Sequence, residues 1–226
     1  MGVQCYIFAS YSQRKRAVKL LPKNLEAIIF DLGGVVLNLN PQKTIDAFVL
    51  AAGLPSEKVA EAGNNKLFKN FEKGLIDTHS FRSELNRLLG TQLQDEEIDM
   101  AWNAMLLDLP LDRLLLLSGL RPRYKTFVLS NTNEIHINAF DEIVQKVTGG
   151  ESIQKYFDNV YYSHQVGMRK PDTEIFEMVL KRNSLHPSKT LFIDDTLEHI
   201  ESANRLGLHT WHLTNQDELF AVFGND

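Results

Sequence analysis

A single cysteine, Cys5, stands in 226 residues. That excludes an intrachain disulfide and a cysteine-based metal site, and it suits a reducing cytoplasm. Long apolar runs are missing too, since no segment approaches the ~20 residues of a membrane span. Basic clusters are short, with Arg14-Lys15-Arg16 the longest, and the formal net charge is −5. Phosphate backbones need a basic face, so nucleic acid is not an expected partner. A small phosphorylated molecule is allowed, provided local cations gather where it binds. Addressing signals are also absent from the N-terminus. Tyr6 stands where the myristoylation pattern needs Ser or Thr, and the apolar stretch precedes the basic cluster, the reverse of a secretory signal. Residues 1–22 read as an appendage without legible chemistry.

What is present is a chain 43% hydrophobic, enough for a full core and a smaller second module. Two patterns divide it. Across 41–119 the spacing is helical almost throughout, with segments at Thr44–Ala52, Ser56–Ala62, Thr78–Leu89, Asp95–Leu106 and Leu111–Leu117. In the third of these Phe81, Leu85, Leu88 and Leu89 share one stripe that stops at Gly90. The second pattern frames this block. Short strands at Tyr124–Leu129, Asn159–Tyr162, Thr190–Ile193 and His209–Leu213 alternate with helices near 134–147, 173–183 and 197–206. Such alternation indicates an α/β fold with a doubly wound parallel sheet. The expected organisation is an α/β core at 23–40 and 120–226, with an inserted helical domain at 41–119.

Four signals sit where strands end. Residues 27–37 read Ala-Ile-Ile-Phe-Asp-Leu-Gly-Gly-Val-Val-Leu, an apolar run that delivers Asp31 to a sheet edge before a glycine turn. Phe127-Val128-Leu129-Ser130-Asn131-Thr132 ends a strand in small polar residues, which suits either a helix cap or a phosphate cradle. Lys170, in Gly167-Met168-Arg169-Lys170-Pro171-Asp172, is either solvated or a counter-charge for phosphate or carboxylate. Leu191-Phe192-Ile193-Asp194-Asp195-Thr196 drives two acids off a buried strand. Adjacent acids repel unless a cation sits between them, and with Asp31 they suit the oxygen ligands of Mg²⁺.

Taken in this order, from about residue 25 to the end, the set resembles the four motifs of the haloacid-dehalogenase superfamily. The helix Ile200-Glu201-Ser202-Ala203-Asn204-Arg205-Leu206-Gly207 is similar to the one after that family's last motif. His199 reads as a structural departure there. The resemblance implies that Asp31 is a nucleophile forming an aspartyl-phosphate and also a Mg²⁺ ligand. The Gly33 carbonyl and Asp195 would be further ligands, with Asp194 direct or through water. Ser130, Asn131 and Lys170 would hold the phosphoryl oxygens. The helical insert resembles a type-I cap. Phe71-Glu72-Lys73-Gly74-Leu75-Ile76, Phe81 and Ala101-Trp102-Asn103-Ala104 are similar to caps of α-glucose-1-phosphate phosphatase-like members. Phe71, Phe81 and Trp102 read first as the packed core of a helical bundle, ahead of direct contact with substrate.

One departure matters. Gly33 stands where the family usually places a second Asp, the general acid/base. That help is typically worth ~10²–10⁴-fold in rate. Asn38, Asn40 and His164 are the candidates near enough in sequence or motif to substitute, and a turn needing φ > 0 would itself demand glycine. The reading is a Mg²⁺-dependent phosphatase of a small phosphorylated metabolite, a sugar phosphate favoured. The alternatives are a weakened protein that binds a phosphorylated ligand or partner, and a metal-free dehalogenase, against which Asp194-Asp195 argues.

Overall fold

The computed structural model describes residues 21–63 and 65–224. Most of the expected 1–22 appendage, with Cys5, lies outside the described residues, while Leu21 already packs against the sheet.

Strand β1 (Ala27–Phe30) is followed by six helices: α1 (Pro41–Ala52), α2 (Ser56–Ala62), α3 (Lys66–Glu72), α4 (Thr78–Leu89), α5 (Asp95–Asn103) and α6 (Leu111–Ser118). Then β2 (Lys125–Ser130), α7 (Glu134–Thr148), β3 (Asn159–Tyr162), the single turn α8 (Ser163–Val166) and α9 (Thr173–Arg182) follow. The chain closes with β4 (Thr190–Asp194), α10 (Leu197–Arg205), β5 (His209–His212) and α11 (Asp217–Phe223). All strand pairs are parallel, in the order β3-β2-β1-β4-β5. The central strands β1, β2 and β4 carry apolar runs because both faces are covered, whereas the edge strand β5 reads His-Thr-Trp-His and is half-buried. Ile28, Phe30, Val128, Leu191 and Ile193 meet one helical layer. Ala27, Ile29, Phe127, Leu129 and Phe192 meet the other. Among the described residues no helix is long and apolar enough to cross a membrane.

The inserted helices carry their own cluster, built around Phe48, Phe71, Phe81, Leu85, Leu89 and Ile98. Phe71 stacks on Phe81 with ring centroids 4.1 Å apart. Asp77 starts α4 by accepting from Ser80 N at 2.7 Å, and Gly90 ends it at φ 72°. The two segments entering and leaving the insert pair with each other. Asn38 N donates to Asp108 O, Leu107 N to Asn38 O and Asn40 N to Met105 O, all at 2.9–3.0 Å. This pairing explains why α5 stops at Asn103 and not at the expected Leu106: the chain turns at 104–105 and Leu106 pairs with Leu39. Helix α6, expected within the insert, belongs elsewhere by packing. Leu114 and Leu117 join the sheet's cluster, and buried Arg113 donates to Asn38 Oδ1 at 2.8 Å.

Candidate active site

The strand order turns back at β1, with β2 on one side and β4 on the other. Open parallel sheets hold ligands at such a point, beyond the strands' carboxyl ends. Phe30 lies level with Val128 and with Ile193, so Asp31 leaves the sheet level with Asp194. Its backbone is locked, for Asp31 N donates to Ile193 O at 2.8 Å. Its Oδ1 accepts from Leu32 N at 2.6 Å and lies 2.8 Å from Lys170 Nζ.

Lys170 is fully buried, 2.7 Å from Asp194 Oδ2 as well as paired with Asp31. Its Nζ also sits over the Phe192 ring, 5.5 Å from the centroid. Asn131 aims it: the amide accepts from Lys170 N and donates to Lys170 O, each at 2.8 Å. The Asn131 side chain is thus a clasp on the lysine loop. A second clasp, Ser163, accepts from Thr132 N at 2.9 Å and donates to Thr132 O at 3.0 Å. Neither role has a linear signature, since each pair lies more than thirty residues apart.

Electrostatics follow from burial. Desolvation, then the Asp194 charge, push the Asp31 carboxyl up to about 8 against the pull of Lys170. Burial works against the charge on Asp194 too, yet Lys170 and His199 hold it below the ordinary carboxylate range. Burial also opposes the Lys170 charge, and Asp194 and Asp31 outweigh it. Replacing Lys170 by Met should therefore leave the buried, ionised Asp194 without its lysine counter-charge. We expect a loss of about 3–5 kcal/mol, read from the urea midpoint in chelator. A loss under about 1 kcal/mol would mean that Asp194 does not carry its charge in the folded protein.

Asp194 spends its oxygens inward, on Lys170, on Thr196 N at 2.8 Å and on His199 Nδ1 at 3.1 Å. Asp195 is exposed and lines the cleft with Asp31, Gly33, Ser130 and Asn131. Its carboxylate lies over Gly34, where a Cβ would come within 2.0 Å of Oδ2. Gly34, at φ 73°, is the residue with the left-handed backbone. The expectation of positive φ at Gly33 is thereby corrected. Gly33 is confined instead by Leu39, whose Cδ1 would lie 2.3 Å from an added Cβ. Carboxyl oxygens of Asp31 and Asp194 and a nitrogen of His199 lie within 4.8 Å of one another. A pocket so rich in carboxylate with one buried lysine fits a hard divalent cation.

The cleft, about 420 Å³, is closed from above by insert residues such as Glu72 and Met105. Two ion pairs hold insert to core: Arg169 to Glu72 at 2.8 Å and Lys73 to Asp172 at 2.6 Å. Trp102 stacks on His136 at 4.9 Å, and Asn103 Oδ1 lies 2.9 Å from His136 Nδ1. Burial pushes His136 down to about 3, so it is neutral. Phe71 and Phe81 are packing residues, buried in the insert. The candidate replacements for the missing acid are not in the cleft. Asn38 binds Arg113 and Asp108, Asn40 caps α1, and the His164 carbonyl backs onto Gly74.

A parallel sheet of this order with aspartate, serine, lysine and paired acids at one edge defines a hydrolase class. The family of haloacid dehalogenase-like hydrolases matches residues 25–207, and the chain belongs to it. Among its relatives is D-ribitol-5-phosphate phosphatase of Bacteroides thetaiotaomicron, 31% identical over 192 residues, 84% of this chain and 93% of that protein. A crystal structure of a HAD family enzyme from the same organism, in complex with magnesium and inorganic phosphate, is 32% identical with a TM-score of 0.72. The match covers 83% of this chain and 93% of that one. A sesquiterpene phosphatase of Aspergillus oryzae is 26% identical over 193 residues, 84% of this chain and 90% of that protein.

Proposed function

We propose that this chain is a Mg²⁺-dependent phosphoric monoester hydrolase acting on a small phosphorylated metabolite through an aspartyl-phosphate. The observation that carries the reading is Asp31, held 2.8 Å from a fully buried lysine at the sheet's switch point. Asp31 attacks phosphorus, the bond to the alcohol oxygen breaks, and that oxygen takes a proton from water. A second water then hydrolyses the acyl phosphate and restores Asp31. The Ser130 hydroxyl, the Asn131 backbone and Lys170 hold the phosphoryl oxygens, spreading positive charge where transfer needs it. Asp31, the Gly33 carbonyl and Asp195 would hold Mg²⁺, which supplies further positive charge to the phosphoryl group. Asp194 lies behind them, positioning Lys170.

The helical insert acts as a cap over the cleft. The D-ribitol-5-phosphate phosphatase supports a sugar or polyol phosphate as substrate, and the sesquiterpene phosphatase supports the ester of an apolar alcohol. The single cysteine suits a reducing cytoplasm. Leu39 over Gly33 favours a second reading, a protein with weakened chemistry that binds a phosphorylated ligand. One turnover assay separates the two. A panel of phosphorylated metabolites with Mg²⁺ should show hydrolysis that a chelator silences. Asp195→Ala should raise the Mg²⁺ concentration for half-maximal rate by ~10-fold or more. Turnover indifferent to chelator, or an Asp195→Ala variant with an unchanged Mg²⁺ requirement, would end the metal assignment.

A further inference from the structure

The cap contains a second chamber, of about 290 Å³, beside the catalytic cleft. Pro41, Glu72 and Met105 form part of both walls, so one cavity adjoins the other. Its remaining lining is hydrocarbon and aromatic, including Ile45, Phe48, Val59, Phe68, Leu85 and Trp102. The two polar side chains that reach it are already committed. Thr44 Oγ1 donates to Trp102 O at 3.0 Å, and Glu72 Oε2 pairs with Arg169 at 2.8 Å. A ligand with several hydroxyls would find only these few acceptors among the side chains and would leave the rest of its hydroxyls without partners. A hydrocarbon would lose nothing and shed water.

We propose that this chamber is a subsite for a hydrocarbon portion of the leaving group, making the preferred substrates phosphomonoesters of apolar alcohols. The proposal rests on the phosphatase reading above and names its substrate class. With the phosphoryl group at Asp31, the alcohol extends past Met105 and Pro41 into the cap. At about 30 Å³ for each carbon-sized group, the chamber takes roughly ten of them.

The test is a series of straight-chain alkyl phosphates, butyl to dodecyl, with Mg²⁺. Every member has the same leaving-group chemistry, so differences in kcat/KM report the chain alone. We expect kcat/KM to rise about fourfold with each methylene and to level off near ten carbons. A five-carbon polyol phosphate should fall well below pentyl phosphate. Val59→Ala should move the plateau to longer chains and Ala62→Val to shorter ones. Both should leave acetyl phosphate hydrolysis unchanged, because that leaving group is too short to enter the cap. Should either variant misfold, the chain-length series on the unmutated protein still decides. A flat series with the polyol ester ahead, while acetyl phosphate is still hydrolysed, would overturn the subsite and leave the phosphatase standing. No Mg²⁺-dependent turnover of any alkyl phosphate or of acetyl phosphate would overturn both.

Discussion

Asp31→Asn should abolish turnover, by roughly 10⁴-fold or more, and leave the fold intact. The amide keeps the size of the carboxylate but is a poor nucleophile, so no aspartyl-phosphate forms. The surroundings of Asp31 add a second expectation. In the metal-free protein Asp31 shares its space with buried Asp194 and with Asp195, and a single lysine answers them. The amide is neutral without having to take up a proton, which relieves that crowding of acids, while Lys170 keeps Asp194 at 2.7 Å. In chelator the variant should melt at the same temperature as the unmutated protein or above it. Loss of activity with retained or raised stability is the signature of a nucleophile, because a merely structural aspartate would lose both. Near-normal phosphatase activity in Asp31→Asn would rule out the covalent route.

The strand ends were legible because their signals are local. The three central strands of this sheet carry apolar runs buried on both faces, and a polar residue ending such a run can only emerge at the edge. Asp31, Ser130 and Asp194 could therefore be named before any contact was known, while Lys170, in the loop between α8 and α9, was legible only from its place in the ordered set. What joins them could not. The Asn131 clasp on Lys170, the Glu72–Arg169 pair and the Trp102–His136 stack each connect residues brought together only by the tertiary fold. Helix α3, Lys66–Glu72, escaped notice because it is two turns long with a single fully buried side chain, Phe71. Helix α6 was visible as a helix, but its side of the molecule depends on which hydrophobic cluster Leu114 and Leu117 join. The reason for Gly33 was hidden for the same cause. A turn suggests positive φ to anyone reading the chain, and here φ is positive one residue later, at Gly34.

Leu39 then decides what can be done about the missing acid. An added Cβ at Gly33 would meet its Cδ1 at 2.3 Å, so the space an aspartate would use is filled by half-buried hydrocarbon. Gly33→Asp alone should be overpacked, costing about 1–3 kcal/mol, and should gain little rate. Trimming the obstruction as well, in Gly33→Asp/Leu39→Ala, gives the carboxyl room beside the leaving group. Hydrolysis of poor leaving groups such as alkyl phosphates should then rise by ~10²-fold, the lower end of general-acid catalysis. Aryl phosphates, which leave without a proton, should change little. The unmutated protein carries the companion expectation, that its rate falls steeply as the leaving-group pKa rises. Both halves follow from one claim, that no cleft residue protonates the departing oxygen. His199 lines the cleft but spends its Nδ1 on Asp194, neutral His136 has no proton to spare, and Asn38, Asn40 and His164 lie outside the cleft. Rapid turnover of alkyl phosphates with a flat dependence on leaving-group pKa would show that another group supplies the proton. A double variant without gain on alkyl phosphates, though folded and active on aryl phosphates, would show that Leu39 is not the obstacle.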